Sequence, residues 1–289
     1  MPRPPVVVTT LPIVADLVGE LPAERWVYYC VDDFRVWPGY DGSTMERMEC
    51  DLLPRVDAVV AVSETLQRRL AALGRSSMLL THGVDRQRWV VPSDGFPAEF
   101  HGLTGPILLF WGVIDRRLDL DWLRKLGETL THGQLVLVGP QEAPDPSLFS
   151  IPRLKLLPPV SFARLPYLAA AAELLMMPYA DLPVTRAMQP LKFKEYLATG
   201  KPVVARRLPG ICDWGDAADL CDTGEEFVVK AIQRLRDGIS AEQHHARSRL
   251  DQEGWDRKAR LFEEFMSSEK ITSPSAESVV TKECCGACR

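Results

Sequence analysis

The feature that most constrains this chain is a rhythm. Short apolar runs rich in β-branched residues alternate with stretches of helical period along almost the whole sequence. "VVVTT" (residues 6–10) precedes "IVADLVGEL", which has helical spacing. "WVYYCVDD" (26–33) reads as a strand ending in two acids, and "STMERMECDLLPRV" (43–56) as a helix with Ser43 as its cap. "AVVAVS" (58–63) is a strand, Ser63 caps "ETLQRRLAALG", and Gly74 closes that helix. "SMLLTHG" (77–83) is the next strand. Strands separated by helices are joined by crossovers. The strands therefore run parallel, and helices cover both faces of the sheet.

The rhythm breaks once. "VVPSDGFPAEFHGLTGP" (90–106) is rich in Pro and Gly and has no sustained period, so it reads as a join between domains. Beyond it come the strands "ILLFWG" (107–112), "QLVLVG" (134–139), "RLKLLP" (153–158) and "LLMMPY" (174–179), with helices around 120–130 and 161–172. "QPLKFKEYLATGKPVVA" (189–205) supplies a further helix and strand. In it Pro190 suits a first helical residue, Gly200 a left-handed helix end, and Pro202 prevents continuation. Helices follow at 225–238 and 241–250, and "WDRKARLFEEFM" (255–266) forms another. The prediction is an α/β chain of two doubly wound, Rossmann-like domains. Residues 1–95 form a partial N-terminal domain, 96–254 a C-terminal one, and 267–289 a disordered tail. The 255–266 helix is expected to return to the N-terminal domain through Trp255, Ala259, Phe262 and Met266. Only four strands precede the join, in about 90 residues where a domain usually has about 100–150. The N-terminal sheet is therefore expected to lack its first half, with the 6–10 strand as an edge covered by an upstream segment or by a homodimer partner.

Composition narrows the function. The 289 residues carry a net charge of −5, which offers no bulk attraction for nucleic acid. No apolar run approaches the roughly 20 residues of a spanning helix. The start lacks the core of a signal peptide, so a cytoplasmic location is expected, extending to the inner face of the membrane. Cys30, Cys50, Cys212 and Cys221 are expected to be reduced thiols. Cys284, Cys285 and Cys288 crowd the C-terminus without a nearby His, so no metal site is expected there.

Ligands of doubly wound sheets sit at the carboxyl ends of the strands. In "LKFKEYLATG", Phe193, Tyr196, Leu197 and Gly200 share one helical face, and Glu195 lies off it. Glu195 is then either a solvated acid or a ligand-facing one.

Five segments in order carry a resemblance: "THGVD", "ILLFWGVIDRRLDLDWL", "LVLVGP", "LPYLAAAAELLMMPY" and "LKFKEYLATGKPVVA". Together they resemble nucleotide-sugar glycosyltransferases of the GT-B fold. They are most similar to family 4 and, within it, to the bacterial branch that builds cell-surface polysaccharides. The resemblance implies that the C-terminal domain holds a nucleotide diphosphate sugar. Glu195 would accept from the ribose hydroxyls, which suits a carboxylate. Pro190, Leu191 and Lys192 would open a helix N-terminus toward the diphosphate. Gly112, with Arg116 or Arg117, would meet the phosphates, although two Arg after a strand also fit a solvated loop. Asp32 and Asp33 stand where the family has a His–Asp pair facing the sugar, and Asp32 fits a strand-end turn equally well.

Two departures from the family pattern are visible. Ala187 replaces the acid eight residues before Glu195, and Pro158 stands where the family has Gly near the base. His82 in "THGVD" reads as structural. The implied activity is metal-independent, hexosyltransferase-like, retaining transfer to a saccharide or lipid-linked acceptor, with no cofactor. A non-catalytic nucleotide-sugar binder and a sugar-nucleotide epimerase of the same fold are the alternatives.

Overall fold

A computed structural model describes residues 4–91 and 97–267. The expectations for residues 92–96, for the tail beyond 267 and for its three cysteines lie outside the described residues. The chain divides into two compact units. The first holds described residues 4–62, 66–80 and 260–267, and the second holds 63–65 and 81–259. The division falls between Leu80 and Thr81, upstream of the expected boundary at 95/96. Aromatic packing explains the shift. Trp89 stacks on Trp111 at 5.2 Å, and with Phe100 it belongs to the core of the second unit.

The first unit is a parallel sheet of β1 (Val6–Thr9), β2 (Arg25–Cys30), β3 (Ala58–Ala61) and β4 (Met78–Leu79), in the order β1-β2-β3-β4. The order runs one way without reversal, as in one half of a doubly wound sheet. The connections are a 3-10 turn at Pro12–Leu17, α1 (Gly42–Leu52) and α2 (Glu64–Ala72). The expected α-helix after β1 is thus only a 3-10 turn. The cap of α1 is Asp41 rather than Ser43, and its carboxylate accepts from the Ser43 and Thr44 amides at 3.0 and 3.1 Å.

The second unit contains β5 (Ile107–Trp111), α3 (Leu120–Thr129), β6 (Gln134–Val138), β7 (Leu154–Leu157), α4 (Leu165–Ala171), β8 (Leu174–Met177), α5 (Pro183–Ala187), α6 (Leu191–Ala198), β9 (Val203–Arg206), β10 (Asp219–Cys221), α7 (Gly224–Asp237) and α8 (Ala241–Ala246). Its sheet is parallel, in the order β10-β9-β8-β5-β6-β7. That is the dinucleotide-fold order, and the direction reverses between β5 and β8. β5 and β8 are buried along their whole length, which is why both read as unbroken apolar runs. β10 has no such signature because it carries a buried acid. Asp219 accepts from Arg234 at 2.6 and 3.1 Å and from Gln243 at 3.1 Å.

The helix α9 (Trp255–Ser267) ends the described chain. Leu261, Phe262, Phe265 and Met266 pack on the Val27, Ala58, Val60 and Leu80 cluster of the first unit. Phe262 also stacks on Tyr29 at 6.3 Å. The contacting face is rotated from the expected one, since Trp255 and Ala259 are exposed. No helix among the described residues is long and apolar enough to cross a membrane.

Candidate functional site

In a sheet of this order, the crevice opens where the carboxyl ends of β5 and β8 diverge. β5 leads into Gly112, whose φ of +142° favours glycine. The neighbouring Gly139 ends β6 with φ +152°, and a Cβ there would lie 1.9 Å from the Gly112 carbonyl oxygen. Two strand ends can therefore meet only as glycines. A Cβ at Gly112 would meet the Lys192 Nζ at 2.0 Å, so the ammonium lies directly above this glycine.

Lys192 comes from the first turn of α6. Its Nζ donates to the Tyr179 hydroxyl at 2.7 Å and lies 4.6 Å from the Phe110 ring centroid and 5.2 Å from that of Tyr179. An ammonium has three donors, and among the described residues one is engaged. Two remain to face the crevice. Pro190 is the cap residue of α6 rather than its first helical residue, and Leu191 opens the helix with its side chain exposed.

Glu195 is not solvated. It is 7% exposed, and the Trp111 indole donates to its Oε2 at 3.4 Å. Burial pushes its pKa up, while the Trp111 hydrogen bond and the Lys192 charge pull the other way. Helical spacing alone put Glu195 off the apolar face. It is buried because α6 presents every residue from 193 to 198 to the interior. Tyr196 fixes the same corner, with its hydroxyl accepting from the Trp111 amide at 3.1 Å and its ring edge-on to the Trp111 indole at 4.1 Å.

Arg116 is exposed, whereas Arg117 is buried against Asp115, with Nε–Oδ2 2.9 Å and Nη2–Oδ2 2.8 Å. The Arg117 carbonyl accepts from the Ala180 amide at 2.7 Å, which ties the β5 loop to the β8 loop. Gly112, Lys192, Glu195 and Arg117 therefore gather at one end of one sheet. Trp111, Tyr179 and Tyr196 join them; sequence reasoning placed Tyr196 on the buried helical face and did not single out the other two as site residues. Their signal was positional, since Trp111 and Tyr179 end apolar runs at strand termini.

Behind α6 lies a second polar group. Lys194, 2% exposed, donates to the Thr81 hydroxyl at 3.1 Å and to the His82 carbonyl at 2.6 Å, and pairs with Glu253. Lys258 bonds the same Thr81 hydroxyl at 3.0 Å and the same carboxylate at 2.8 Å. Burial, aided by both lysine charges, lowers the His82 pKa to about 4. His82 is thus neutral at physiological pH, and its amide donates to Gln189 Oε1 at 3.1 Å.

Asp32 and Asp33 belong to the first unit, just beyond β2. Asp33 is buried, and Arg35 grips it with Nε–Oδ1 2.9 Å and Nη2–Oδ2 2.8 Å. Arg69 lies 3.8 Å away and also bonds Glu49, which accepts from the Tyr28 hydroxyl at 2.8 Å. Burial acts against the Asp33 charge, but the two guanidinium groups outweigh it and hold the carboxyl below its usual range. Asp33 is engaged in an internal charge network. Asp32 is half-buried beside it. Cys30, Cys50, Cys212 and Cys221 form no disulfide among the described residues, and no metal-binding cluster occurs among them.

These features define a class. The chain has the α/β fold of GT-B glycosyltransferases. HepE of Anabaena, solved with UDP-glucose, matches with a TM-score of 0.71 at 17% identity, over 91% of this chain and 79% of that one. Sucrose-phosphate synthase of Thermosynechococcus elongatus matches at 0.67 and 17%, over 91% and 73%. The trehalose-phosphate synthase of Burkholderia vietnamiensis matches at 0.69 and 13%, over 90% and 70%. In sequence, the chain is 25% identical over 170 residues to TuaH of Bacillus subtilis (strain 168), a candidate teichuronic acid biosynthesis glycosyltransferase. That match spans 56% of this chain and 43% of the relative. No protein-family model matches the chain.

Proposed function

We propose that this chain is a glycosyltransferase that moves a sugar from a nucleotide diphosphate sugar to an acceptor hydroxyl. The observation that carries the reading is the Lys192 ammonium. It stands over Gly112 at the switch point of a dinucleotide-order sheet, with two donors unfilled and the Glu195 carboxylate on the same helix. Lys192 and the first turn of α6 would neutralise the leaving diphosphate, so no metal is required. Glu195 would accept from the ribose hydroxyls. The solved relatives with UDP and UDP-glucose make a uridine nucleotide the first donor to test. The teichuronic acid assignment of TuaH makes surface polysaccharide the first acceptor class, as free saccharide or lipid-linked. Retention of anomeric configuration is the outcome that the family 4 resemblance supports.

Calorimetric titration of UDP and UDP-glucose into wild type, Lys192→Met and Glu195→Ala tests the donor site. Each substitution removes a charge-assisted contact and should weaken binding by about ten- to a hundredfold. Equal affinities in all three proteins would remove the assignment. UDP release that depends on both donor and acceptor, and survives chelator, tests the transfer. A second reading, binding without turnover, is favoured by the capture of Asp33 by Arg35 and Arg69 and by the apolar Ala187. Donor binding with no acceptor-dependent release would select it.

A further inference from the structure

We infer that the second unit carries a saccharide-binding pocket separate from the donor crevice, built on Trp255. The pocket, about 450 Å³, lies between the segment that follows β4 and the segment that opens α9. Trp255 is 47% exposed, which is unusual for an indole in a folded chain. It is nonetheless fixed. A Cβ on Gly83 would meet its Cδ2 at 2.8 Å, so the absence of a side chain at Gly83 lets the ring rest on backbone, and His82 flanks it at 6.4 Å. One part of the indole is therefore braced and the rest is open to water.

An exposed aromatic alone would suit an apolar partner, but the rim here does not. Asp85, Gln87 and Asp256 line the pocket, together with the Arg86–Asp251 ion pair. Among the described residues, the side chains of Gln87 and Asp256 make no hydrogen bond. A rigid π-face bordered by carboxylate and amide groups matches a sugar ring, whose C–H face is apolar and whose edge bears hydroxyl donors. Asp85 pairs with Arg88 at 3.5 Å and Asp251 with Arg86, so Asp256 is the rim carboxylate without an ion pair among the described residues, and its uncompensated charge selects a neutral sugar over a uronate. Saccharide binding here needs no nucleotide and stands or falls independently of sugar transfer.

Native gel electrophoresis of the full chain, with polysaccharide cast in the gel and nucleotide omitted, tests the inference. The probes are dextran, soluble starch and galactomannan as neutral polymers, and polygalacturonate as the anionic one. At least one neutral polymer should retard the wild type. Trp255→Ala should lose that retardation, and Trp255→Phe should keep most of it. Asp85→Lys/Asp256→Lys reverses the charge of two exposed rim residues, the first of which also gives up its 3.5 Å pair with Arg88, and should shift preference toward polygalacturonate. The inference is overturned if no neutral polymer retards the wild type, if Trp255→Ala migrates as wild type does in its presence, or if the double lysine variant gains nothing for polygalacturonate.

Discussion

At the scale of single residues, Glu195 is the most informative position. A buried carboxylate with a raised pKa is more comfortable protonated, so the folded chain binds its proton more tightly than the unfolded chain. The sign follows. Relative to an uncharged side chain, Glu195 costs nothing below its unfolded pKa and is increasingly destabilising as pH rises through the folded value. Glu195→Gln keeps an acceptor for the Trp111 indole and removes the charge. Thermal melting should therefore show the variant more stable than wild type at pH 7, with the gain shrinking to nothing near pH 4. A gain that persists at pH 4, or a loss at pH 7, would contradict the assignment of burial as the dominant cause. The position that weakens the free fold is thus the one that the proposed donor contact would use.

At the scale of elements, α6 faces two ways. Lys192 stands over Gly112 and Glu195 meets the Trp111 indole at the end of β5, while Lys194, between them, is anchored behind the helix by Thr81, His82 and Glu253. Two buried ammonium groups share one carboxylate, so the partners are not equivalent. Lys194→Met leaves the Glu253–Lys258 pair intact and replaces a desolvated charge with an apolar side chain, a change that is often neutral. Glu253→Ala leaves two cations without a counter-charge and should cost about 3–5 kcal/mol. Urea unfolding of both variants measures the contrast, and equal losses would show that the cluster is not organised around Glu253.

At the scale of the whole molecule, the first unit depends on chain from both ends of the sequence. β2, β3 and the end of β4 meet Leu261, Phe262, Phe265 and Met266. Burying such side chains contributes about 1.5–3 kcal/mol each when complete, and these are partly buried. A chain ending at Gly254 should therefore lose several kcal/mol of stability in that unit, read as a lower melting transition for Trp26 fluorescence in a variant whose other tryptophans are replaced. An unchanged transition would mean that the α9 packing contributes nothing there.

Local pattern determined much of this protein. The alternation of apolar runs and helices specified parallel α/β sheets, because only crossovers can join such elements. Nine of the ten strands among the described residues were legible as apolar runs, and the interior ones must be apolar on both faces. β10 escaped because its acid is neutralised by Arg234 and hydrogen-bonded by Gln243, residues remote in sequence. Gly112 and Lys192 were legible as strand-end and helix-start residues. Their superposition was not, because it depends on how α6 lies against the end of β5. The burial of Glu195, the capture of Asp33 by Arg69, the anchoring of Lys194 and the bracing of Trp255 by Gly83 were decided by tertiary structure alone. Sequence spacing fixes which side of an element a residue occupies, but only packing fixes what faces that side, and desolvation and charge pairing follow from that second fact.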